Sequence, residues 1–138
     1  MHTGFDKWYG SDYDRAGLET MLIHYPEMPV VLSHIGFPDI EWVFSLADRF
    51  PQVWLDLTNV PGSFERMGWP APLLEQLRTG LHRHRDRLLM GTDYPEGIGT
   101  LGETLAQYHM LGLDDGLLED MLLISPERFF ERFARQAA

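Results

Sequence analysis

One short stretch decides the fold class of this chain: Pro29-Val30-Val31-Leu32-Ser33-His34. Its residues are apolar without alternation and β-branched at the start, a pattern typical of a strand that is covered on both faces, as in parallel sheets. Similar apolar runs follow at 53–58 and 88–91. The sequence therefore predicts three buried strands.

Helical patterns occupy the intervals between these strands. Residues 12–25 carry apolar residues at i, i+3, i+4 and i+7, which is the spacing of one helix face. A second helix is predicted over 39–49, with Asp39 as its N-cap. Residues 61–72 are rich in proline and glycine and predict a loop, after which a helix carries the leucines of 73–81.

The last third of the chain is predicted to be helical. One helix carries the apolar residues of 101–111, and two more carry the stripes at 117–122 and 129–133. Ser125 is predicted to cap the final helix, with Pro126 as its first residue.

Parallel strands need a crossover of about a dozen residues or more, so this alternation predicts an α/β fold with a parallel sheet in a single domain, 1–138. Two architectures remain open, a doubly wound sheet and a segment of a (β/α)8 barrel. A complete barrel needs about 250 residues, and this chain has 138, so it would form only part of one.

Composition excludes several functional classes. The net charge of −10 argues against a nucleic-acid partner or an anionic membrane surface, because both attract Lys and Arg. The chain has no cysteine, so disulfides, thiolate nucleophiles and Cys-zinc sites are excluded. No apolar run is long enough to cross a membrane, and no signal peptide is evident at the start. A cytoplasmic protein that acts on a small molecule is expected.

Polar residues that could act in catalysis or bind a metal lie where the predicted strands end. His34 closes the first strand, Asp93 follows the third, and His2 stands at the start of the chain as if it ended another strand. Two imidazoles and a carboxylate suit zinc or another divalent transition metal. Each residue also has a structural interpretation: a hydrogen-bonded histidine, a turn or helix-capping aspartate, and a disordered terminal histidine.

Other candidates are weaker. His82 and His84 resemble a metal-binding pair, but they precede a strand and lie among arginines at a helix end, where cations are favoured. Asp6 and Glu96 have only a weak functional case. Four aromatic residues in loops either line a substrate pocket or cover the rim of a barrel: Phe5, Trp8, Tyr9 and Trp69.

Four segments together resemble the amidohydrolase-related family of metal-dependent hydrolases. Residues 29–36 resemble its sixth strand, which ends in histidine before a glycine. Residues 88–95 resemble its eighth strand, which ends in Gly-Ser/Thr-Asp-Tyr/Trp-Pro. Residues 125–130 are similar to its closing helix start, and residues 1–4 to the end of its fifth strand. The resemblance implies the C-terminal half of a TIM barrel, comprising strands six to eight and the C-terminal helices.

The resemblance also implies roles for three residues. His2 and Asp93 would be metal ligands, with zinc favoured over manganese. Asp93 would also be catalytic, as acceptor of a proton from metal-activated water, and His34 would polarise the substrate carbonyl or shuttle a proton. The implied activity is hydrolysis of a carbonyl substrate, with decarboxylation as the alternative that the same family offers.

The chain departs from the family pattern mainly in its N-terminal part, and Ser125 and Pro126 stand where the family has Asn and Ala. The His-x-His pair of the first strand is not found, and neither are strands one to four. We therefore expect this polypeptide alone to bind metal weakly and to lack activity. A missing N-terminal half-barrel or a homo-oligomer is the expected partner, and a non-catalytic half-barrel remnant is a further alternative.

Overall fold

The computed structural model describes residues 1–3, 14–93 and 100–134. Three parallel strands form one sheet in the order β1-β2-β3. They are β1 (Val30–Ser33), β2 (Val53–Asp56) and β3 (Leu88–Leu89). A parallel bridge joins His2 to Ser33, so the segment 1–3 lies alongside β1 on the side away from β2. The predicted parallel sheet is confirmed.

Helices fill the intervals between the strands, as the apolar periodicity predicts. They are α1 (Arg15–His24), α2 (Ile40–Arg49), α3 (Val60–Arg66), α4 (Ala71–Arg83), α5 (Leu101–Met110), α6 (Asp115–Glu119) and α7 (Ser125–Ala134). Short 3₁₀ turns span His34–Gly36 and Arg85–Arg87, and a π-helical turn spans Asp120–Ile124. No helix of the described segments has the length and apolar character that a membrane crossing requires.

One face of the sheet and the helices outside it form the hydrophobic core. Val30 pairs with Val53 and Leu32 with Leu55, so these four side chains share a face, and all of them are buried. Residues of α1, α2 and α4 pack in the same core, including Leu22, Val43, Phe44, Leu77 and Leu81. Strands in chain order, with their helices on one face, match a barrel segment better than a doubly wound sheet, which carries helices on both faces.

The opposite face of the sheet is covered by the last helix at one end. Trp54 of β2 is 2% exposed, and its ring meets Phe129 and Phe133 of α7 at centroid distances of 5.0 and 6.2 Å. Arg132 of the same helix donates to the carbonyl of Pro51, just before β2. Helix α7 therefore covers the amino end of the inner sheet face.

Two local predictions are wrong, and a third holds only in position. The loop predicted over 61–72 contains α3, because Pro61 occupies the first helical turn, where the missing N–H costs nothing. Ser125 does not cap a helix, since α6, the π-turn and α7 are continuous and its buried hydroxyl donates to the carbonyl of Arg85. Asp39 is the N-cap residue of α2, as predicted, but its carboxylate pairs with Arg15 instead of accepting from the helix backbone.

Candidate functional site

Left-handed backbone conformations follow each of the three described strands within a few residues of its carboxyl end. His34 after β1, Asn59 after β2 and Asp93 after β3 have φ angles of 65°, 57° and 59°. Non-glycine residues rarely adopt positive φ, and such conformations cluster at functional sites because the surrounding structure must hold them. The predicted residues His34 and Asp93 are both among them.

The hydrogen bond of His34 determines which of its two ring nitrogens carries the proton in the neutral form. Its Nδ1 lies 2.7 Å from the backbone carbonyl of Thr58 and is half-buried. A carbonyl only accepts hydrogen bonds, so Nδ1 carries the proton and Nε2 of the neutral ring is the bare nitrogen. The neutral ring therefore offers a lone pair for a proton or a metal.

His2 lies beside His34. Their ring centroids are 4.6 Å apart in an edge-to-face arrangement, and His2 is exposed. The neighbouring Thr3 is buried and fixes the turn after β1, because its hydroxyl donates to the carbonyl of Ser33 and accepts from the amide of Gly36. The structure thus brings together two of the three predicted site residues.

Asp93 lies further along the same rim. It follows β3, which β2 separates from β1, and adjacent strands are about 4.8 Å apart. Within residues 1–3, 14–93 and 100–134, no three His, Asp or Glu side chains form a group that could hold a metal ion. The assignment of His2 and Asp93 as ligands of one metal stays a prediction.

Two residues between His34 and Asp93 were not singled out from the sequence. Asp56 ends β2, and its Oδ1 accepts from the amide of Thr58 at 3.0 Å and from the hydroxyl of Thr58 at 2.7 Å. A polar residue inside an otherwise apolar strand run was the available signal. The pair belongs to the site because the carbonyl of Thr58 is the partner of His34.

The turn after β2 is also held from the side of β3 and α5. A Cβ atom at Gly91 would lie 1.9 Å from the hydroxyl oxygen of Thr58, so only glycine fits there. The buried Tyr108 of α5 donates its hydroxyl to the carbonyl of Leu57 at 2.6 Å. Burial raises the pKa of Tyr108 well above its usual value, and the negative charge of Asp56 adds to the rise. Tyr108 therefore stays protonated and keeps donating.

The histidine pair at the end of α4 lies away from this rim. His84 is buried, stacks on Phe44 at 5.9 Å, and accepts at Nδ1 from Arg87 at 3.0 Å. Its Nε2 lies 3.1 Å from Asp48. Burial lowers the pKa of His84, and Arg87 lowers it further. These contacts give His84 a structural role before β3, as the sequence predicts.

The aromatic candidates divide into two groups. Trp69 stacks on Phe64 at 5.9 Å and packs against the core. It therefore fits the covering role better than the pocket role. The remaining candidates lie outside the described residues, as do the two weak acidic candidates: Phe5, Trp8, Tyr9, Asp6 and Glu96.

A parallel sheet with its helices outside and its polar residues at the carboxyl rim defines a segment of a (β/α)8 barrel. The amidohydrolase family model matches residues 9–132, and the chain belongs to that family. An uncharacterised TIM-barrel protein of Bordetella bronchiseptica has a similar crystal structure, with a TM-score of 0.73 and 22% sequence identity. The match covers 96% of this chain and 44% of that protein, so the chain spans less than half of its structural neighbour. No curated protein shows significant sequence similarity.

Proposed function

We propose that this chain supplies the carboxyl-rim residues of a metal-dependent hydrolase that acts on a carbonyl substrate. The observation that carries the proposal is the pair His2 and His34, whose rings lie 4.6 Å apart where the segment 1–3, bridged to β1, and the carboxyl end of β1 meet, in a chain of the amidohydrolase family. Active sites of such barrels form at the carboxyl ends of the strands.

The donor types fit a divalent metal of the zinc class. His2 and Asp93 would hold the ion, with manganese as the alternative to zinc. Such an ion supplies a Lewis acid, which lowers the pKa of coordinated water and polarises a carbonyl. Catalytic zinc usually has three protein donors, so further donors would come from beyond residues 1–3, 14–93 and 100–134. A segment with the first-strand His-x-His pair of the family is the expected partner.

The protonation pattern of His34 limits its role. With the proton on Nδ1, the neutral ring accepts a proton or a hydrogen bond at Nε2, and it donates there only as an imidazolium. His34 is therefore suited to act as a base or proton shuttle, and it polarises a substrate carbonyl only when charged. The carboxylate of Asp93 is the second proton acceptor at the rim.

The test uses the protein as it occurs in the cell, either as a polypeptide that contains this chain or as a complex of this chain with its partner. Metal content and turnover are measured for the wild type, Asp93→Ala, His34→Ala and the control His82→Ala. Asp93→Ala should lose both metal and turnover, whereas His34→Ala should lose most turnover and keep most metal. Retention of metal and turnover in Asp93→Ala would show that the site is wrongly assigned.

The substrate class is tested with two panels under the same conditions. Lactones and amides report hydrolysis, and aromatic carboxylates report decarboxylation by release of carbon dioxide. Turnover of the first panel supports the proposal. Turnover of the second panel alone would replace the hydrolase with a carbon–carbon lyase of the same family.

A further inference from the structure

We propose that Asp56 and Thr58 are positioning residues that fix His34 as the tautomer with the proton on Nδ1. The catalytic use of that tautomer rests on the proposed function, but the tautomer itself follows from contacts within this chain. Neither residue has to touch substrate or metal for this role.

The carbonyl of Thr58 is the decisive group, because it faces Nδ1 of His34 at 2.7 Å. A carbonyl accepts from an N–H but repels a bare ring nitrogen, so a carbonyl fixed at this distance selects the Nδ1–H form. The selection is lost if the carbonyl can turn away. What holds Thr58 in place therefore controls His34.

Asp56 holds Thr58 at two points. Its Oδ1 accepts from both the amide and the hydroxyl of Thr58, and its Oδ2 lies 2.8 Å from the same hydroxyl. Hydrogen bonds to a carboxylate are about twice as strong as those between neutral groups. Thr58 is thereby held through its N–H and its side chain, on the two sides of the Cα atom that bears the carbonyl facing His34.

The segment after β3 leaves space for the contacts between Asp56 and Thr58. The Thr58 hydroxyl occupies the volume that a side chain at position 91 would need, since the distance to a Cβ would be 1.9 Å. Position 91 lies two residues before Asp93. Gly91 of the Gly-Thr-Asp segment thus leaves room for the hydroxyl of Thr58, whose carbonyl contacts His34. The strand end that carries Asp93 is therefore coupled to the one that carries His34.

Other turns also contain an aspartate bonded to a residue two positions later, and their role is only to shape the backbone. The two interpretations differ in one observable, the position of the His34 proton. Protonated and bare imidazole nitrogens have well-separated ¹⁵N chemical shifts. Long-range ¹H–¹⁵N spectra of the histidine-labelled, metal-free chain, recorded well above the pKa of histidine, therefore distinguish them.

The wild-type spectrum alone can overturn the proposal. We expect His34 to show a protonated Nδ1 and a bare Nε2, and a wild type with the proton on Nε2 contradicts the proposal without any variant. His24 is the internal reference, because its Nδ1 lies 2.8 Å from the carbonyl of Thr20 within α1. Its tautomer should be the same in every variant.

The variants test the contacts between Asp56 and Thr58. Thr58→Val removes the hydroxyl and keeps the shape, and should lower the ratio of the Nδ1–H to the Nε2–H form of His34 about tenfold, the effect of one hydrogen bond. Asp56→Ala should lower it at least as much. Thr58→Ser keeps the hydroxyl and should retain the wild-type ratio. A folded Thr58→Val or Asp56→Ala with the wild-type ratio overturns the proposal, and Asp56→Asn is the substitute if Asp56→Ala does not fold.

Failure here is distinguishable from failure of the proposed function. The tautomer ratio is measured without metal or substrate, whereas the proposed function is tested by the metal content and turnover of Asp93→Ala. An unchanged ratio with a correct Asp93 result removes only the positioning role.

Discussion

The two ends of the same three strands are built in different ways. At the carboxyl ends, His34 and Asp93 adopt left-handed conformations, and hydrogen bonds connect His34, Thr58 and Asp56. At the amino ends, aromatic rings pack together and arginine side chains donate to backbone carbonyls: Trp54, Phe129, Phe133, Arg87 and Arg132. Barrels separate chemistry from stability in this way, since the loops that follow the strands vary without disturbing the other end.

Arg87 shows how the amino end is tied. Its two terminal nitrogens donate to the carbonyls of Phe50 and Val53 at 3.2 Å each and to the carbonyl of Ala47 at 2.9 Å. One side chain therefore joins the end of α2 and the start of β2 to the start of β3. The planar guanidinium presents several donors in a fixed geometry, which a lysine cannot reproduce.

The strongest test of this division is Trp54→Ala. Truncation of a buried aromatic side chain costs about 3–5 kcal/mol, because apolar area is lost and a cavity remains. The free energy of unfolding from urea titration should fall by that amount. Phe130→Ala is the control on the same helix, since Phe130 is 69% exposed and its loss should change little. Equal effects of the two variants would contradict the assigned role of the amino end.

A smaller loss is expected for Arg87→Lys. The change removes hydrogen bonds to half-buried carbonyls, and each unsatisfied group costs about 1–3 kcal/mol. Arg83→Lys is the matched control, because Arg83 is exposed and meets Asp48 at 3.3 Å. Urea titration of both variants should show a clear loss for Arg87 only. The proposed turnover, corrected for folded fraction, should be retained in both.

The amino end should also confer sensitivity to acid through His84. Its pKa in the folded chain is lowered by burial and by Arg87 from the ordinary 6.5, so the unfolded chain binds the proton more tightly. The contribution of His84 to the free energy of unfolding is complete above pH 6.5, and it is lost as the pH falls from there through the lowered pKa of the folded chain. Unfolding titrations of wild type and His84→Gln across this range check the sign. Parallel pH profiles would exclude the contribution of His84.

The smallest effect is expected at His82. This exposed residue lies 3.3 Å from Asp114, at the end of α4 and before β3. Exposed ion pairs contribute little, because water screens them and both side chains lose freedom. His82→Ala should leave the thermal midpoint and turnover unchanged. A loss of metal in this variant would indicate a metal site near the amino ends of the strands and would contradict the assignment of the site to the carboxyl ends.

The regular elements were predictable from sequence because their signals are local. Apolar runs and helical periodicity located β1, β2, α2 and α4 within a few residues. The same reasoning missed α3, since proline and glycine in a first turn resemble a loop pattern. It also misjudged Ser125, whose hydroxyl meets a carbonyl 40 positions away. No local pattern carries such a contact.

The site was predictable only in part, for the same reason. His34 and Asp93 stand at strand ends, which alternation and family resemblance both indicate. The role of Thr58 depends on its backbone carbonyl, and any residue type carries that group. Gly91 belongs to the Gly-Thr-Asp motif, but the group that requires glycine there, the hydroxyl of Thr58, lies in the turn after a different strand.

The π-helical turn at Asp120–Ile124 changes the direction in which side chains point along the continuous helix formed by α6 and α7. Side chains at four-residue intervals face inward along it: Leu117, Met121, Ser125, Phe129 and Phe133. An α-helix advances about 40° beyond a full turn every four residues, so this series would drift by about 160° over its length. A wider turn in the middle subtracts part of that rotation. A single uninterrupted rod can thereby join the outer core at one end to the inner sheet face at the other.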